Sequence, residues 1–180
     1  MYGLVNRAIE GLVLQQFGAD AWRKICERAG VNQAQFVAMQ AYDDAITYAL
    51  VGAASEELGL APETILETFG EYWTTYTIEE GYGEMLDLMG DSLEEFLDNL
   101  DSMHARVGGA MPELIAPSFE REELDDGTSV LHYRSERDGL APMVVGLLRG
   151  IAKRFETELE VEQLEPAETG HHRFHLREAS

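Results

Sequence analysis

His104 and the run Tyr133-Arg134-Ser135-Glu136-Arg137 are the residues of this chain whose types and spacing could do chemistry together. His104 sits in an apolar stripe with Leu93, Phe96, Leu97, Leu100, Met103 and Val107. An imidazole there is either a satisfied core side chain or a ligand aimed at something bound. Along a strand, side chains alternate faces, so Tyr133, Ser135 and Arg137 point one way while Val130, His132, Arg134 and Glu136 point the other. Same-face neighbours lie roughly 6.5 to 7 Å apart. Such a ladder of donors can hold an anion with two spaced carboxylates, one in the guanidinium fork and the others on hydroxyls. Taken alone it is also an ordinary polar strand face. A buried imidazole, a double-carboxylate clamp and many large apolar residues on the helices between them describe a haem pocket: an axial ligand, propionate anchors and an apolar slot for the macrocycle.

The elements that must position these groups can be read from periodicity and punctuation. Leu4, Val5, Ala8, Ile9, Leu12 and Val13 share one helical face, with Gly18 as a stop. A shorter helix is predicted from Asp20 to Ala29, ending at Gly30, and more helix from Asn32 through Val51 with a break near Tyr42-Asp43-Asp44. Pro62 opens the next helix, whose apolar residues Ile65, Leu66, Phe69, Trp73 and Tyr76 run on to Gly81 and Gly83. Ser92 with Glu95 is a capping box for the His104 helix, which Gly108-Gly109 closes. The pattern then turns to strands: Ser118 to Leu124, a turn at Asp125-Asp126-Gly127, and Ser129 to Arg137. A helix from Leu140 to Phe155 and two strands, Thr157 to Leu164 and Arg173 to Arg177, complete a β-β-α-β-β order. The fold class is therefore α+β, a mostly helical front lobe packed on a lobe with a four-stranded antiparallel sheet. One domain over residues 1–180 is expected, with lobes of about 1–61 and 62–180.

Composition narrows the function classes. Of 180 residues, 45% are hydrophobic and 26% charged, enough for a real core in one domain. With 34 acidic and 13 basic residues the net charge is −21, which repels nucleic acid and anionic membranes. Cys26 is the only cysteine, so no intramolecular disulfide, CxxC pair or cysteine-rich zinc site can form, and a reducing, cytoplasmic setting fits. No targeting or membrane-spanning segment is predicted. His171, His172 and His175 match no zinc spacing and read as solvated tail histidines, and Glu56-Glu57, Glu79-Glu80 and Glu122-Glu123 as solvated faces. His132 reads as a surface strand residue, and Met85, Met89 and Met103 as core. Nucleotide-binding, hydrolase and zinc-protease motifs are absent from the sequence.

On these residues the chain resembles the H-NOX family, the haem nitric oxide and oxygen binding domains related to the haem domain of soluble guanylate cyclase, and it looks most like stand-alone cyanobacterial members. The likeness runs from Met1-Tyr2-Gly3-Leu4-Val5-Asn6 through Phe69-Gly70-Glu71-Tyr72-Trp73 to Gly139-Leu140-Ala141-Pro142-Met143, with the family's Tyr-x-Ser-x-Arg motif at 133–137. The resemblance implies haem b between the lobes, with His104 as proximal ligand and Tyr133, Ser135 and Arg137 on the propionates. It further implies that Pro117 presses on the porphyrin and that Val5, Ile9, Trp73, Thr74, Met143 and Leu147 wall the distal gas site.

Members that hold oxygen stably carry a tyrosine where this chain has Met143, so the resemblance implies NO and CO binding without a stable O₂ complex. The indole N–H of Trp73 is a donor by residue type that could meet bound O₂, while Tyr72 and Tyr76 cannot be placed from sequence. The implied coupling is that NO weakens the bond to the proximal histidine and the strained haem relaxes away from Pro117. The expected role is a sensor without catalysis of its own, signalling in trans to a histidine kinase or a cyclic-di-nucleotide enzyme. An O₂-binding H-NOX, a peroxidase or dioxygenase on the same cofactor, and a haem-free apolar-ligand or interaction domain are the rival readings. The distal positions offer no His, Arg, Asp or Glu for peroxidase-type acid–base work.

Overall fold

The computed structural model describes residues 1–32 and 36–178. Helix α1, Gly3–Ala29, buries Leu4, Ala8, Ile9, Leu12 and Val13 in its first arm and Trp22, Ile25 and Cys26 in its second. The arms meet at Gly18, whose φ of 82° and ψ of 174° leave helical space. The expected stop is thus a kink with no loop, a conformation open to glycine because it has no Cβ. Gly30 ends the second arm in the left-handed region, as predicted.

Helix does not continue from Asn32 as expected. Residues 36–43 are not helical, and α2 spans Asp44–Leu58 with the Asp43 carboxylate accepting the Ala45 amide at 2.9 Å. The chain before it pairs with the amino-terminal segment instead: the Gly3 amide donates to the Gln40 carbonyl at 2.8 Å and the Tyr42 amide to the Met1 carbonyl at 2.8 Å. Those backbone bonds replace a helical ladder. Residues 33–35 of the expected helix lie outside the described residues.

Helix α3, Pro62–Thr77, passes into a π-helical turn, Ile78–Tyr82, and a short α4, Gly83–Asp87. The predicted His104 helix is two helices, α5 (Leu93–Asp98) and α6 (Leu100–Ala110), separated at Asn99. The Ser92 half of its capping box is present, the hydroxyl accepting the Glu95 amide at 3.2 Å, while the Glu95 carboxylate accepts the amide of Asp91, one residue before the expected Ser92, at 3.0 Å. Gly108 and Gly109 lie inside α6 and do not close it. Strands β1 (Ser118–Glu123), β2 (Ser129–Arg134), β3 (Leu159–Gln163) and β4 (His171–Glu178) form an antiparallel sheet in the order β1-β2-β4-β3, and α7, Ala141–Arg154, lies between β2 and β3 in sequence. The α+β class and the β-β-α-β-β order are as expected.

Two apolar cores result. One gathers α1, α2, Phe69 and Tyr76 of α3, and Met111. The other packs α5, Leu100 of α6 and α7 against Leu131, Tyr133, Phe174 and Leu176 of the sheet. Helices α3 and α7 join them at backbone contact: a Cβ on Gly70 would lie 2.1 Å from the Met143 carbonyl oxygen, and one on Gly146 would lie 1.9 Å from that of Glu67. No helix among the described residues is long and apolar enough to cross a membrane.

Candidate cofactor site

A cavity of about 1100 Å³ opens between the two cores. His104, Pro117, Tyr133, Ser135 and Arg137 line it on one side, and Val5, Ile9, Trp73, Thr74, Met143 and Leu147 also line it, so the chain brings together every site residue singled out above.

The His104 side begins with α6. The His104 ring stacks on Phe119 with centroids 5.8 Å apart and planes at 20°. Phe119 is fixed in turn, because its amide donates to Asp101 Oδ1 at 2.7 Å, one helical turn before the histidine. Nδ1 of His104 is shut off from solvent and has no hydrogen-bond partner among the described residues. Burial pushes the imidazole pKa down, with the Asp101 charge opposing, so the ring is neutral at pH 7, the form that ligates a metal. Phe119 also touches Tyr133, at 5.3 Å between centroids. Burial raises the Tyr133 phenol, against the opposing Ser135 hydrogen bond and Arg137 charge, and keeps it a protonated donor.

Strand β2 ends at Arg134, so Ser135 and Arg137 are not a continuation of one strand face, a correction to the alternation argument. They reach the cavity by other means. The Ser135 amide donates to the Gly170 carbonyl at 2.9 Å, and Gly170 adopts a φ of 74° where a Cβ would lie 2.7 Å from the Ser135 oxygen. The Ser135 hydroxyl accepts the Arg137 amide at 3.0 Å. Arg137 is itself engaged, donating through Nε to Asp44 Oδ2 at 2.6 Å and through Nη1 to the Ile115 carbonyl at 2.6 Å. Asp44 also receives the Met1 ammonium. Nη2 of Arg137 has no partner among the described residues and remains for a carboxylate. Tyr48, one turn along α2, lines the cavity and donates to the Asp138 carbonyl at 3.0 Å.

The opposite side offers few donors. The Thr74 hydroxyl is spent on the Glu71 carbonyl at 2.9 Å. Tyr72 and Tyr76 do not line the cavity: the Tyr72 hydroxyl abuts Gly11, and Tyr76 is buried in the first core, where desolvation pushes its phenol up to about 12. Trp73 does line the cavity.

Asp44, Tyr48 and Phe119 were not among the residues read from sequence. The double acid at 43–44 was visible as a helix break; nothing local ties it to an arginine 93 positions away. The histidines outside the cavity also need correction, since His171, His172 and His175 are half-buried on β4 and not in a solvated tail. His171 Nε2 lies 3.0 Å from Nδ1 of His132, and His175 Nε2 lies 2.9 Å from the Thr128 hydroxyl. Among the described residues no group of three or more His, Cys, Asp or Glu side chains is placed to hold a metal.

Residues 2–163 match the family model Haem-NO-binding. Soluble guanylate cyclase gcy-32 of Caenorhabditis elegans is 36% identical over 157 residues, 86% of this chain and 23% of the relative. Guanylate cyclase soluble subunit beta-2 of Rattus norvegicus is 43% identical over 93 residues, 52% of this chain and 14% of the relative. The chain thus spans less than a quarter of the length of these relatives. Among solved structures, an H-NOX protein from S. oneidensis in the Fe(II)NO ligation state superposes with a TM-score of 0.89 at 19% identity over 100% of both chains. The Fe(II) unliganded H-NOX protein from K. algicida does so with a TM-score of 0.85 at 20% identity over 100% of this chain and 97% of that one. At such identities the likeness is one of fold.

Proposed function

Because the chain belongs to the Haem-NO-binding, or H-NOX, family and is a haem-binding gas-sensor domain like the haem domain of soluble guanylate cyclase, we propose that it holds haem b through His104, takes NO and CO without a stable O₂ complex, and signals in trans to a separate protein. The observation that carries this reading is the neutral, half-buried His104, its Nδ1 shut off from solvent, lining an apolar cavity of about 1100 Å³. The donor set fits the cofactor. An imidazole stands at one wall, and the Tyr133 and Ser135 hydroxyls with Nη2 of Arg137 offer hydrogen bonds to two carboxylates.

Haem, when bound, supplies an iron that accepts a diatomic gas. The chain's residues decide how firmly that iron is held and which gas is favoured. Ligating histidines usually donate their second nitrogen to a carboxylate or carbonyl, which raises their basicity. Among the described residues Nδ1 of His104 has no such acceptor, so the imidazole would hold the iron as a weak base. Pro117 lines the same cavity and is our choice for the residue that would press on the macrocycle. Opposite, Met143, Leu147, Val5 and Ile9 present no hydroxyl to polarised O₂, and Thr74 has spent its own. The lone Cys26 and the absence of a spanning helix among the described residues support a cytoplasmic setting. For the partner, a histidine kinase or cyclic-di-nucleotide enzyme is our reading.

The test is the absorption spectrum of the haem-loaded ferrous protein under argon, in air, and with CO or NO. A five-coordinate histidine-ligated spectrum that shifts with NO and CO and not with O₂ is expected. A stable oxy spectrum in air that disappears in Trp73→Phe would replace the NO-selective reading with an O₂-binding one, which the indole at the cavity wall favours. Failure to take up haem defeats both.

A further inference from the structure

Helix α3 carries Trp73 and Thr74 at the cavity and then ends in an uncommon way. At Ile78 the helix widens into the π turn, and Gly81 within it has a φ of 95°. Single π turns of this kind occur disproportionately at functional sites. This one carries side chains that belong to the inside and the outside at once, since Ile78 and Tyr82 line the cavity while Ile78 is 41% exposed. The Tyr82 hydroxyl reaches the Met39 sulfur at 4.0 Å, which sets Met39, 49% exposed, beside the turn, and Val37, 57% exposed, lies two residues away. Scattered apolar surface residues need no explanation, whereas a contiguous set calls for one.

The rim of this set is acidic. Glu79 and Glu84 are exposed and make no ion pair among the described residues, while Glu80 is held by Arg7 at 3.2 Å. On a chain of net charge −21, an apolar centre with carboxylates around it disfavours a second copy of the chain or an anionic surface. It suits an amphipathic helix whose apolar stripe is flanked by Lys and Arg.

We propose that the surface formed by Val37, Met39 and the turn Ile78–Tyr82 is the docking site for a basic amphipathic helix of the signalling partner. The proposal rests on the sensor reading, because what makes the surface useful is its shared wall with the cavity. A change in the cavity that shifts Ile78 or Tyr82 alters the face the partner meets. A partner with different affinity for the two arrangements then reads the gas.

The experiment uses the haem-loaded ferrous–CO protein, labelled with ¹⁵N, titrated with a synthetic helical peptide bearing leucines on one face and lysines on the other. A peptide with glutamates in place of the lysines is run in parallel. Amide shifts centred on residues 37–39 and 78–84 with the lysine peptide alone are expected. Met39→Ser combined with Glu84→Lys, both away from the cavity wall, should weaken binding at least about tenfold, the loss of an apolar anchor and a complementary charge. Shifts centred elsewhere, or unchanged affinity in the double variant with an unaltered spectrum, overturn the docking site. The CO absorption band of the same sample separates the two failures: a sample with the band and no shifts at the turn loses only the docking site, and a sample without the band loses the sensor reading.

Discussion

On the side of the cavity that holds His104, polar groups are tied to one another across long stretches of chain. Phe119 is anchored to Asp101, Ser135 to Gly170, and Arg137 to Asp44 and Ile115. On the side formed by α1, α3 and α7 the wall is apolar, the Thr74 hydroxyl is turned to its own helix, and α3 and α7 meet backbone to backbone at glycine. The first side is built from directed bonds and fails when an atom is removed. The second is built from shape, and it fails when an atom is added.

The largest effect is expected from removal on the directed side. His104→Gly should abolish the histidine-ligated ferrous spectrum, and free imidazole diffused into the vacated volume should restore it. A spectrum that is unchanged in His104→Gly would move the ligand elsewhere. Addition on the shape side comes next. Gly146→Ala pushes a methyl to 1.9 Å from the Glu67 oxygen, and because neither backbone can yield, a loss of about 3 kcal/mol is expected, at the upper end for overpacking. Thermal unfolding should fall by roughly 6 to 12 °C. Gly108→Ala is the control: nothing lies within 4 Å of its Cβ, and inside α6 it should stabilise by about 0.5 to 1 kcal/mol.

A gain of function sharpens the same contrast. Met143→Tyr brings a hydroxyl to a wall of apolar side chains, and one hydrogen bond to bound O₂ is worth about 1 kcal/mol, or several-fold in affinity. An oxy spectrum in air should emerge in the variant. If it emerges equally in the parent protein, donors on that side, Trp73 first, are more active than its composition suggests.

How much of this was legible in the sequence follows the same division. Val5, Ile9, Trp73 and Leu147 could be read as lying on apolar helical faces because helical periodicity is local, and it was the family resemblance that assigned them to a cavity wall. The β-β-α-β-β sequence of elements could be read because turns such as Asp125-Asp126-Gly127 are local too, whereas the spatial strand order was not. The tied side was legible as a set of residue types and not as a geometry. Period-two alternation put Ser135 and Arg137 on a strand that in fact stops at Arg134, and what holds Ser135 is Gly170, whose role depends on a positive φ and a close approach, while Arg137 is held by Asp44 and the Ile115 carbonyl. The expected helix from Asn32 failed for a related reason, since backbone pairing with Met1 and Gly3 outcompetes a helical pattern and no short window contains both partners. Asn99 broke the His104 stripe without disturbing its spacing, which is why the stripe survived the mistake.

The smallest effect tests whether the tied side depends on charge. Partial burial alone would raise the Asp44 pKa, but hydrogen bonds from Arg137 and the amino terminus, with their charges, hold it below its ordinary 3.8. A carboxylate with a depressed folded pKa adds stability that is fully present above the unfolded value and is lost as pH falls through the folded one. At pH 7, Asp44→Asn should therefore cost about 1 kcal/mol or less, discounted because the Asp44 side chain is 35% exposed. The variant keeps two hydrogen bonds from these cations to uncharged acceptors, Arg137 to the Ile115 carbonyl and the Met1 ammonium to the Tyr42 carbonyl. Urea unfolding of parent and variant as pH is lowered should show the difference shrinking below 3.8 and vanishing once Asp44 is protonated in the folded protein. A difference that stays constant with pH would mean that the shape of the Asp44 side chain, and not its charge, joins α2 to the Arg137 loop, and the two sides of the cavity would then be held by the same physics.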